Sequence, residues 1–206
     1  MDMGSAQRLT PDDWCTAALA VIAERGVAGL SIEALAKSLG VTKGSFYWHF
    51  ADRSALVVAA ASMWERRATG EVIEELSAIE DPRRRLRTLL EVSFSDSVNG
   101  PIDAAMAGRS EDRTVGATVA RVTMARLNFI ESIFVELGLD AERAARRARV
   151  AYAAYLGHFP LANALPGDPT LSAVRSDYLD ELVDVLVVDA PGLGRAARSG
   201  DPGPDR

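Results

Sequence analysis

Hydrophobic residues recur at helical spacing along most of the chain, and polar residues or glycine separate the segments that show it. In one short segment the apolar positions follow the pattern i, i+3, i+4 and i+7, at Ile32, Leu35, Ala36 and Leu39. Such spacing places all four side chains on one face of a helix. Strand-like alternation is absent from the sequence, so the pattern predicts an all-α fold of about nine helices.

Residues typical of helix ends mark the first three predicted helices. Thr10, Ser31 and Thr42 are of the types that accept hydrogen bonds from the free N–H groups of a helix N-terminus. Gly26 and Gly40 follow the first and second helices, where glycine commonly ends a helix. The caps therefore predict three helices joined by short turns.

Changes in pattern and composition divide the chain into three parts. Residues 1–56 hold the three capped helices and the start of a fourth, and they are predicted to form a compact domain. Residues 57–189 carry longer helical patterns and are predicted to form a larger bundle. Residues 190–206 are rich in Pro, Gly, Asp and Arg, so we expect a disordered tail with too few apolar residues for a core.

Residues 31–50 have the sequence form of a helix-turn-helix. Two short helices meet at a tight turn around Gly40, and the second spans roughly 12 Å, which matches the width of a DNA major groove. Phe46 and Phe50 are one helical turn apart and are predicted to anchor this helix to the core. The side chains of residues 47–49 then project elsewhere, and Tyr, Trp and His suit contacts with phosphates and thymine methyl groups.

The segment GVTKGSFYWHFADRSAL, residues 40–56, resembles the helix-turn-helix signature of the TetR (tetracycline repressor) family. The matching residues are Gly40, Val41, Thr42, Gly44, Phe46, Tyr47, His49, Phe50, Arg53 and Leu56. The resemblance implies a homodimeric transcriptional regulator, usually a repressor that a small-molecule effector releases from a palindromic operator in double-stranded DNA. The phosphate contacts that it implies come from Ser31, Thr42, Tyr47, His49 and Arg53.

Further DNA contacts are expected around the same helix. The resemblance assigns base recognition to Lys43, Ser45 and Trp48, and a lysine is long enough to reach O6 and N7 of guanine. Gly44 has no Cβ, which lets a partner approach the backbone closely. Lys37 is either a further phosphate contact or a solvated charge.

The charge of the chain limits how it binds DNA. A net charge of −6 argues against a basic protein that coats nucleic acid without regard to sequence. Residues 1–67 hold seven basic and seven acidic side chains, and only residues 37–53 have an excess, with three basic residues and one acidic residue. We therefore expect few charge contacts with phosphates and a shallow dependence of DNA affinity on salt.

One arginine interrupts the apolar face of the seventh predicted helix. Arg126 lies at helical spacing from Val119, Val122 and Ile130. An arginine that points inward needs a carboxylate, carbonyl groups or a ligand as its partner. Two hypotheses follow, a structural ion pair or a site for an anionic or carbonyl-bearing effector.

Candidate effector contacts are aromatic, polar or sulfur-containing residues on the fourth to eighth helices. They are Trp64, Phe94, Asn99, Met106, Arg126, Phe129, Tyr152 and Tyr155. Residues at such spacing also form ordinary cores, but their mixture suits an apolar or amphipathic small molecule. The predicted helices at about 140–165 and 169–189 have apolar residues on more than one face, and the resemblance places the homodimer interface there.

Several kinds of site have no support in the sequence. It lacks a nucleophile elbow, a phosphate-binding loop and a zinc-protease motif, so we predict no enzymatic activity, no catalytic residues and no cofactor. One cysteine and two histidines are too few for a His/Cys-rich metal site. The lack of a signal peptide and of a membrane-spanning segment predicts a cytoplasmic protein without membrane contact.

Alternatives to an effector-controlled repressor stay open at this point. The first is a DNA-binding regulator without a small-molecule effector, either architectural or controlled by a partner, and a solid core in place of a pocket would support it. The second is an activator, because the sequence does not encode the position of a promoter. An enzyme built on a helical bundle is the third, with no motif in its favour.

Overall fold

The computed structural model describes residues 9–96, 99–172 and 176–188, and every regular element in these ranges is helical. In chain order the helices are α1 (Pro11–Arg25), α2 (Ile32–Ser38), α3 (Lys43–Tyr47), α4 (53–77), α5 (Pro82–Ser95), α6 (Asn99–Ala107), α7 (Gly116–Glu136), α8 (Ala141–Ala164), α9 (Pro169–Ser172) and α10 (Ser176–Val187). The predicted all-α fold is confirmed. The predicted ninth helix covers α9 and α10, and its residues 173–175, like the tail at 190–206, lie outside the described residues.

Side-chain caps form at the starts of several helices, although Thr42 makes no such bond at the start of α3. The Thr10 hydroxyl accepts from the N–H of Asp13, and the Asp13 carboxylate accepts from the N–H of Thr10 at 2.7 Å. Ser31, Asp52 and Asp140 cap α2, α4 and α8 in the same way, each accepting from an N–H three residues ahead. These bonds satisfy donors that the first turn of a helix otherwise leaves without a partner.

The turn between α2 and α3 depends on Gly40. Its φ of 70° lies in the left-handed region, which glycine adopts without steric cost. The N–H of Gly40 donates to the carbonyl of Lys37 at 3.2 Å, and the N–H of Val41 donates to the carbonyl of Ala36 at 3.0 Å. This pair of bonds is a Schellman motif, which ends α2 and allows α3 to begin at Lys43.

Helix α4 continues from the N-terminal helices into the bundle. Arg53–Glu65 and Val72–Ser77 are α-helical, and Arg66–Glu71 between them is wound as a π-helix. Such π-helical turns are rare inside α-helices and are frequent at functional sites. The predicted domain boundary at residue 56 falls within α4, so one helix joins the two predicted domains.

Two hydrophobic cores hold the helices together. The first core contains residues of α1 to α4 and four residues from the bundle, Met106, Val115, Val119 and Val122. The second core is built from α5, α7, α8 and α10, with Leu86 and Phe134 fully buried in it. Because α7 contributes to both cores, the N-terminal helices are packed directly on the bundle.

Candidate nucleic-acid interface and buried cavity

The residues predicted to contact DNA lie on or next to α2 and α3, and none of them is buried. Seven are exposed: Ser31, Lys37, Thr42, Lys43, Gly44, Tyr47 and Trp48. Three are half-buried: Ser45, His49 and Arg53. We call these ten residues the recognition surface.

The aromatic residues near α3 separate into a buried and an exposed group. Phe46 is fully buried, with its ring centroid 5.5 Å from that of Trp14, and Phe50 stacks beside it. Trp48 is 82% exposed and Tyr47 is 56% exposed. The buried rings fix the position of the helix, whereas a solvated indole adds no hydrophobic stabilisation to this chain. The contrast indicates that Trp48 and Tyr47 are available to a partner.

An acidic residue that the sequence analysis did not single out lies beside the recognition surface. Glu33 of α2 forms an ion pair with Lys43 of α3 and accepts a hydrogen bond from Ser31 Oγ at 3.3 Å. The hydrogen bond between Glu33 and Lys43 lowers the pKa of Glu33 and raises the pKa of Lys43. The ion pair brings the starts of α2 and α3 together, and it offsets the charge of the lysine that is predicted to contact guanine.

Arg53 holds the start of α4 against the segment that precedes α2. Its Nε donates to the carbonyl of Leu30 at 2.8 Å, and its Nη2 donates to the carbonyl of Val27. The structure therefore gives Arg53 a positioning role within the chain. Its phosphate contact, which the resemblance implies, stays a prediction.

Two small residues at the start of α3 are open to a partner. Thr42 occupies the N-cap position of α3 without a side-chain cap hydrogen bond. A Cβ atom on Gly44 would meet only the Oγ1 of Thr42, at 3.6 Å, which is an ordinary van der Waals contact. Packing within the chain therefore does not require glycine at this position, which leaves the close approach of a partner as its predicted purpose.

A cavity of about 380 Å³ lies between the N-terminal helices and the bundle. Seven of the eight candidate effector contacts line it: Trp64, Phe94, Asn99, Arg126, Phe129, Tyr152 and Tyr155. The eighth, Met106, is fully buried in the first core and does not line the cavity. Thr16 and Leu19 of α1 line the same cavity, although their spacing in the sequence does not point to it.

A buried carboxylate connects four helices in the wall of this cavity. The Oδ2 atom of Asp103 accepts from the hydroxyl of Tyr155 at 2.6 Å and from Nη2 of Arg126 at 2.9 Å. Its Oδ1 atom accepts from the indole N–H of Trp64. We call Trp64, Asp103, Arg126 and Tyr155 the buried polar network. Asp103 was not among the predicted site residues, although it is the only charged residue of α6.

The charges of this network support one another. Burial opposes the charge of Arg126, but Asp103 together with Tyr155 and Tyr152 outweighs this effect, so the pKa of Arg126 is raised. Burial, and then the charge of Asp103, raise the pKa of Tyr155. Tyr155 therefore stays protonated at neutral pH and donates its hydrogen bond to the carboxylate.

Arg126 also contacts the π-helical segment of α4. Its Nε donates to Oγ1 of Thr69 at 2.9 Å, and its Nη2 donates to the carbonyl of Ala68 at 2.7 Å. The Nη1 atom of Arg126 is shielded from solvent and has no hydrogen-bond partner in the structure. The two hypotheses for Arg126, a structural ion pair and an effector site, are thus compatible. Arg126 forms a buried ion pair with Asp103 and also lines the cavity.

The described part of the chain shows neither a group of metal ligands nor a membrane-spanning helix. Within residues 9–96, 99–172 and 176–188, no three His, Cys, Asp or Glu side chains are grouped in a way that could hold a metal ion. None of the helices described above is both long enough and apolar enough to cross a membrane.

Sequence comparison places the recognition surface within a known family. Residues 15–60 match the family described as bacterial regulatory proteins, tetR family. The transcriptional regulator AcrR of Shigella flexneri is 42% identical over 48 residues, which are 23% of this chain and 21% of AcrR. The regulator BetI of Yersinia pestis is 35% identical over 83 residues, which are 39% of this chain and 42% of BetI.

The matched segments thus span less than half the length of these curated relatives, and both relatives are transcriptional regulators rather than enzymes. The fold is similar over nearly the whole chain to the transcriptional regulator FadR of Bacillus subtilis, solved in complex with stearoyl-CoA. That likeness has a TM-score of 0.63 at 15% identity, and it covers 90% of this chain and 100% of FadR. The helix-turn-helix within residues 15–60 thus matches that of the tetR family of bacterial regulatory proteins, and the whole chain shares its all-helical fold with FadR.

Proposed function

We propose that the chain is a homodimeric, sequence-specific DNA-binding regulator of transcription, and that a small molecule in the cavity releases it from its operator. The exposure of Tyr47 and Trp48, next to the buried rings of Phe46 and Phe50, is the observation that carries the proposal. Its place of action is the cytoplasm, where the DNA of a bacterium lies.

DNA recognition divides between base contacts and backbone contacts. With α3 in the major groove, Lys43, Ser45 and Trp48 contact base edges, which supply the specificity. The hydroxyl groups of Thr42 and Tyr47 donate to phosphates, which fix the register of the helix on the duplex. Few of these contacts carry a net charge, so specificity relies on shape and hydrogen bonding more than on attraction to the backbone.

The homodimer is proposed to form through α8 and the C-terminal helices. Val150 and Leu161 of α8 are 56% and 49% exposed, and Val185 of α10 is 55% exposed. A second copy of the same helices buries such residues in a symmetric interface. The dimer then presents two recognition helices, and these must lie about 34–36 Å apart to enter successive major grooves.

The cavity offers a route from effector to DNA. It is lined by α1 and α4 of the N-terminal helices as well as by α5 to α8 of the bundle. A ligand that fits the cavity better at one position of α1 and α4 shifts the population toward that position. Arg126 bonds the π-helical segment of α4 and lines the cavity, so a ligand that moves this side chain acts directly on α4.

The cavity also bears on the alternative of a regulator without an effector. A regulator without an effector is expected to have a solid core, and the cavity of about 380 Å³ argues against this alternative. The binding of stearoyl-CoA by FadR, a protein of similar fold, supports a small-molecule effector for this chain as well.

Selection of bound duplexes from a random DNA pool tests the proposal. The purified full-length chain at about 150 mM salt is expected to enrich a palindrome whose half-sites are about one helical turn apart. Binding that is sensitive to salt but enriches no sequence would contradict sequence recognition and favour the architectural alternative. An enriched site without symmetry would contradict the homodimer while leaving sequence recognition in place.

A further inference from the structure

We infer that the cavity takes an uncharged, mainly apolar molecule with one hydrogen-bond-accepting oxygen, which the guanidinium of Arg126 binds. The inference rests on the proposed effector function and narrows it to one chemical class. It also decides between the two kinds of effector that the sequence leaves open at Arg126, an anion and a neutral carbonyl compound.

The charges in the cavity wall cancel. Its charged residues are Arg67, Asp96, Asp103 and Arg126, two cations and two carboxylates. Arg67 is paired with Asp12 at 2.5 Å, and Arg126 is paired with Asp103 at 2.9 Å. Asp96 accepts two hydrogen bonds from Asn99, at 2.7 and 2.8 Å. A ligand that enters therefore meets two cations that are each already paired with a carboxylate.

A ligand anion would lose its hydration without gaining a free cation. Asp103 already holds the guanidinium of Arg126, and a second carboxylate beside it would meet like-charge repulsion in a buried site. Removing a carboxylate from water without full pairing is costly. A cationic ligand has no better partner, because the Asp103 carboxylate already accepts three hydrogen bonds and the Asp96 carboxylate accepts two from Asn99.

One donor is nevertheless left over. Nη1 of Arg126 has no partner, whereas Nε and Nη2 of the same side chain are bonded. A buried donor without an acceptor is a cost to the empty protein, and a carbonyl, ether or hydroxyl oxygen relieves this cost once the guanidinium turns toward the cavity. The remaining wall is largely apolar, as at Leu86, Leu90 and Ile130, and it suits the hydrocarbon part of the same ligand.

Two probes of equal size isolate the effect of charge. 2-Undecanone and decanoate share a nonyl chain, and the ketone has a methyl group where decanoate has a charged oxygen. Titration calorimetry of the full-length protein is expected to show 2-undecanone bound about tenfold or more tightly than decanoate. No binding of the ketone, or decanoate bound as tightly, overturns the inference.

Removing the charge of Asp103 should reverse the preference. Asp103→Asn leaves the Arg126 guanidinium without its carboxylate, so decanoate affinity is expected to rise about tenfold or more relative to the ketone. The change Glu111→Gln, at an exposed carboxylate outside the cavity, serves as the control and should leave both affinities unchanged. An unchanged preference in folded Asp103→Asn contradicts the role of the ion pair.

A second variant keeps the test decisive if Asp103→Asn does not fold. The double change Asp103→Asn and Arg126→Met removes both charges and the donor, so the ketone should lose about tenfold in affinity and decanoate should gain nothing. Retained ketone affinity overturns the assignment of Arg126. The duplex selection uses neither probe, so failure of the DNA-binding proposal and failure of this inference are observed separately.

Discussion

The recognition surface and the buried polar network differ in how their residues are brought together. The recognition surface comes from residues 31–53 and is positioned by helix caps, one glycine turn and two buried phenylalanines. The buried polar network joins residues from four helices, from Trp64 to Tyr155, and no local motif connects them. Local sequence rules therefore describe the first site well and the second hardly at all.

The two sites also differ in what a mutation should cost. The aromatic side chains of the recognition surface are exposed, so truncating them should impair binding and spare the fold. Each member of the buried polar network satisfies another member, so removing one leaves a buried charge or donor unpaired. Experiments that separate stability from DNA affinity can test this contrast directly.

The largest effect is expected when Asp103 is truncated. Asp103→Ala leaves Arg126 uncompensated and removes the acceptor of Trp64 and Tyr155, which should lower the free energy of unfolding by about 3–5 kcal/mol. Urea denaturation measures this loss, and Glu111→Ala, at an exposed carboxylate, should change it by no more than about 0.5 kcal/mol. A loss below about 1 kcal/mol for Asp103→Ala would show that the network is not structural.

Truncation of Trp48 should lower DNA affinity and leave stability unchanged. Trp48→Ala is expected to weaken binding to the selected duplex by about 1–3 kcal/mol, roughly 5- to 150-fold, while the free energy of unfolding stays within about 0.5 kcal/mol. Fluorescence anisotropy with labelled duplex and thermal denaturation measure the two quantities. Met124→Ala, at a side chain of α7 that is 59% exposed, is the matched control and should change neither.

A smaller effect is expected from the pH dependence of stability at His158. This imidazole is 5% exposed, its Nδ1 has no partner, and burial lowers its pKa below the ordinary 6.5. The unfolded chain then binds a proton on His158 at a higher pH than the folded chain does. The contribution of neutral His158 to the free energy of unfolding is therefore complete above about pH 6.5 and declines as the pH falls below that value.

The variant His158→Gln tests this assignment. Replacing the imidazole removes its titration, so urea denaturation between pH 7.5 and 5 should show a weaker decline of stability for the variant than for the wild type. An equal decline in both proteins would mean that other groups account for the pH dependence.

The smallest effect is expected at Glu33. Glu33→Gln frees Lys43 from its ion pair, so DNA affinity should rise modestly and the slope of log affinity against log salt should steepen by about 1 per subunit. Salt titrations of the selected duplex measure the slope. Glu24→Gln, at an exposed residue of α1 that pairs with Arg25, should leave it unchanged. A wild-type slope as steep as about −10 would contradict the prediction of few charged contacts.

The fold was predictable where neighbours in sequence decide the structure. Predicted caps at Thr10 and Ser31 form as expected, whereas Thr42 makes no side-chain cap bond, and Gly40 ends α2 through its own hydrogen bond. Met106 does not line the cavity, because helical spacing shows that a side chain points inward but not whether it meets a cavity or packed neighbours.

The candidate site was predictable in part for the same reason. Sequence spacing suggested most of the aromatic residues that line the cavity, but it did not reveal that Glu33 pairs with Lys43 or that α1 reaches the cavity. The lone acid of α6 was the available sign of a buried pair, and only the crossing of α6 and α7 places Asp103 against Arg126.

By itself, then, the sequence determined the all-α fold, the helix ends and the residues of the recognition surface. Each depends on interactions between residues a few positions apart, which follow from the period of a helix and the free groups at its ends. The tertiary structure alone decided the partners of Arg126, the neutral charge of the cavity wall and the π-helical contact with α4. These depend on groups 23 to 58 residues apart, whose distances are set by how whole helices pack.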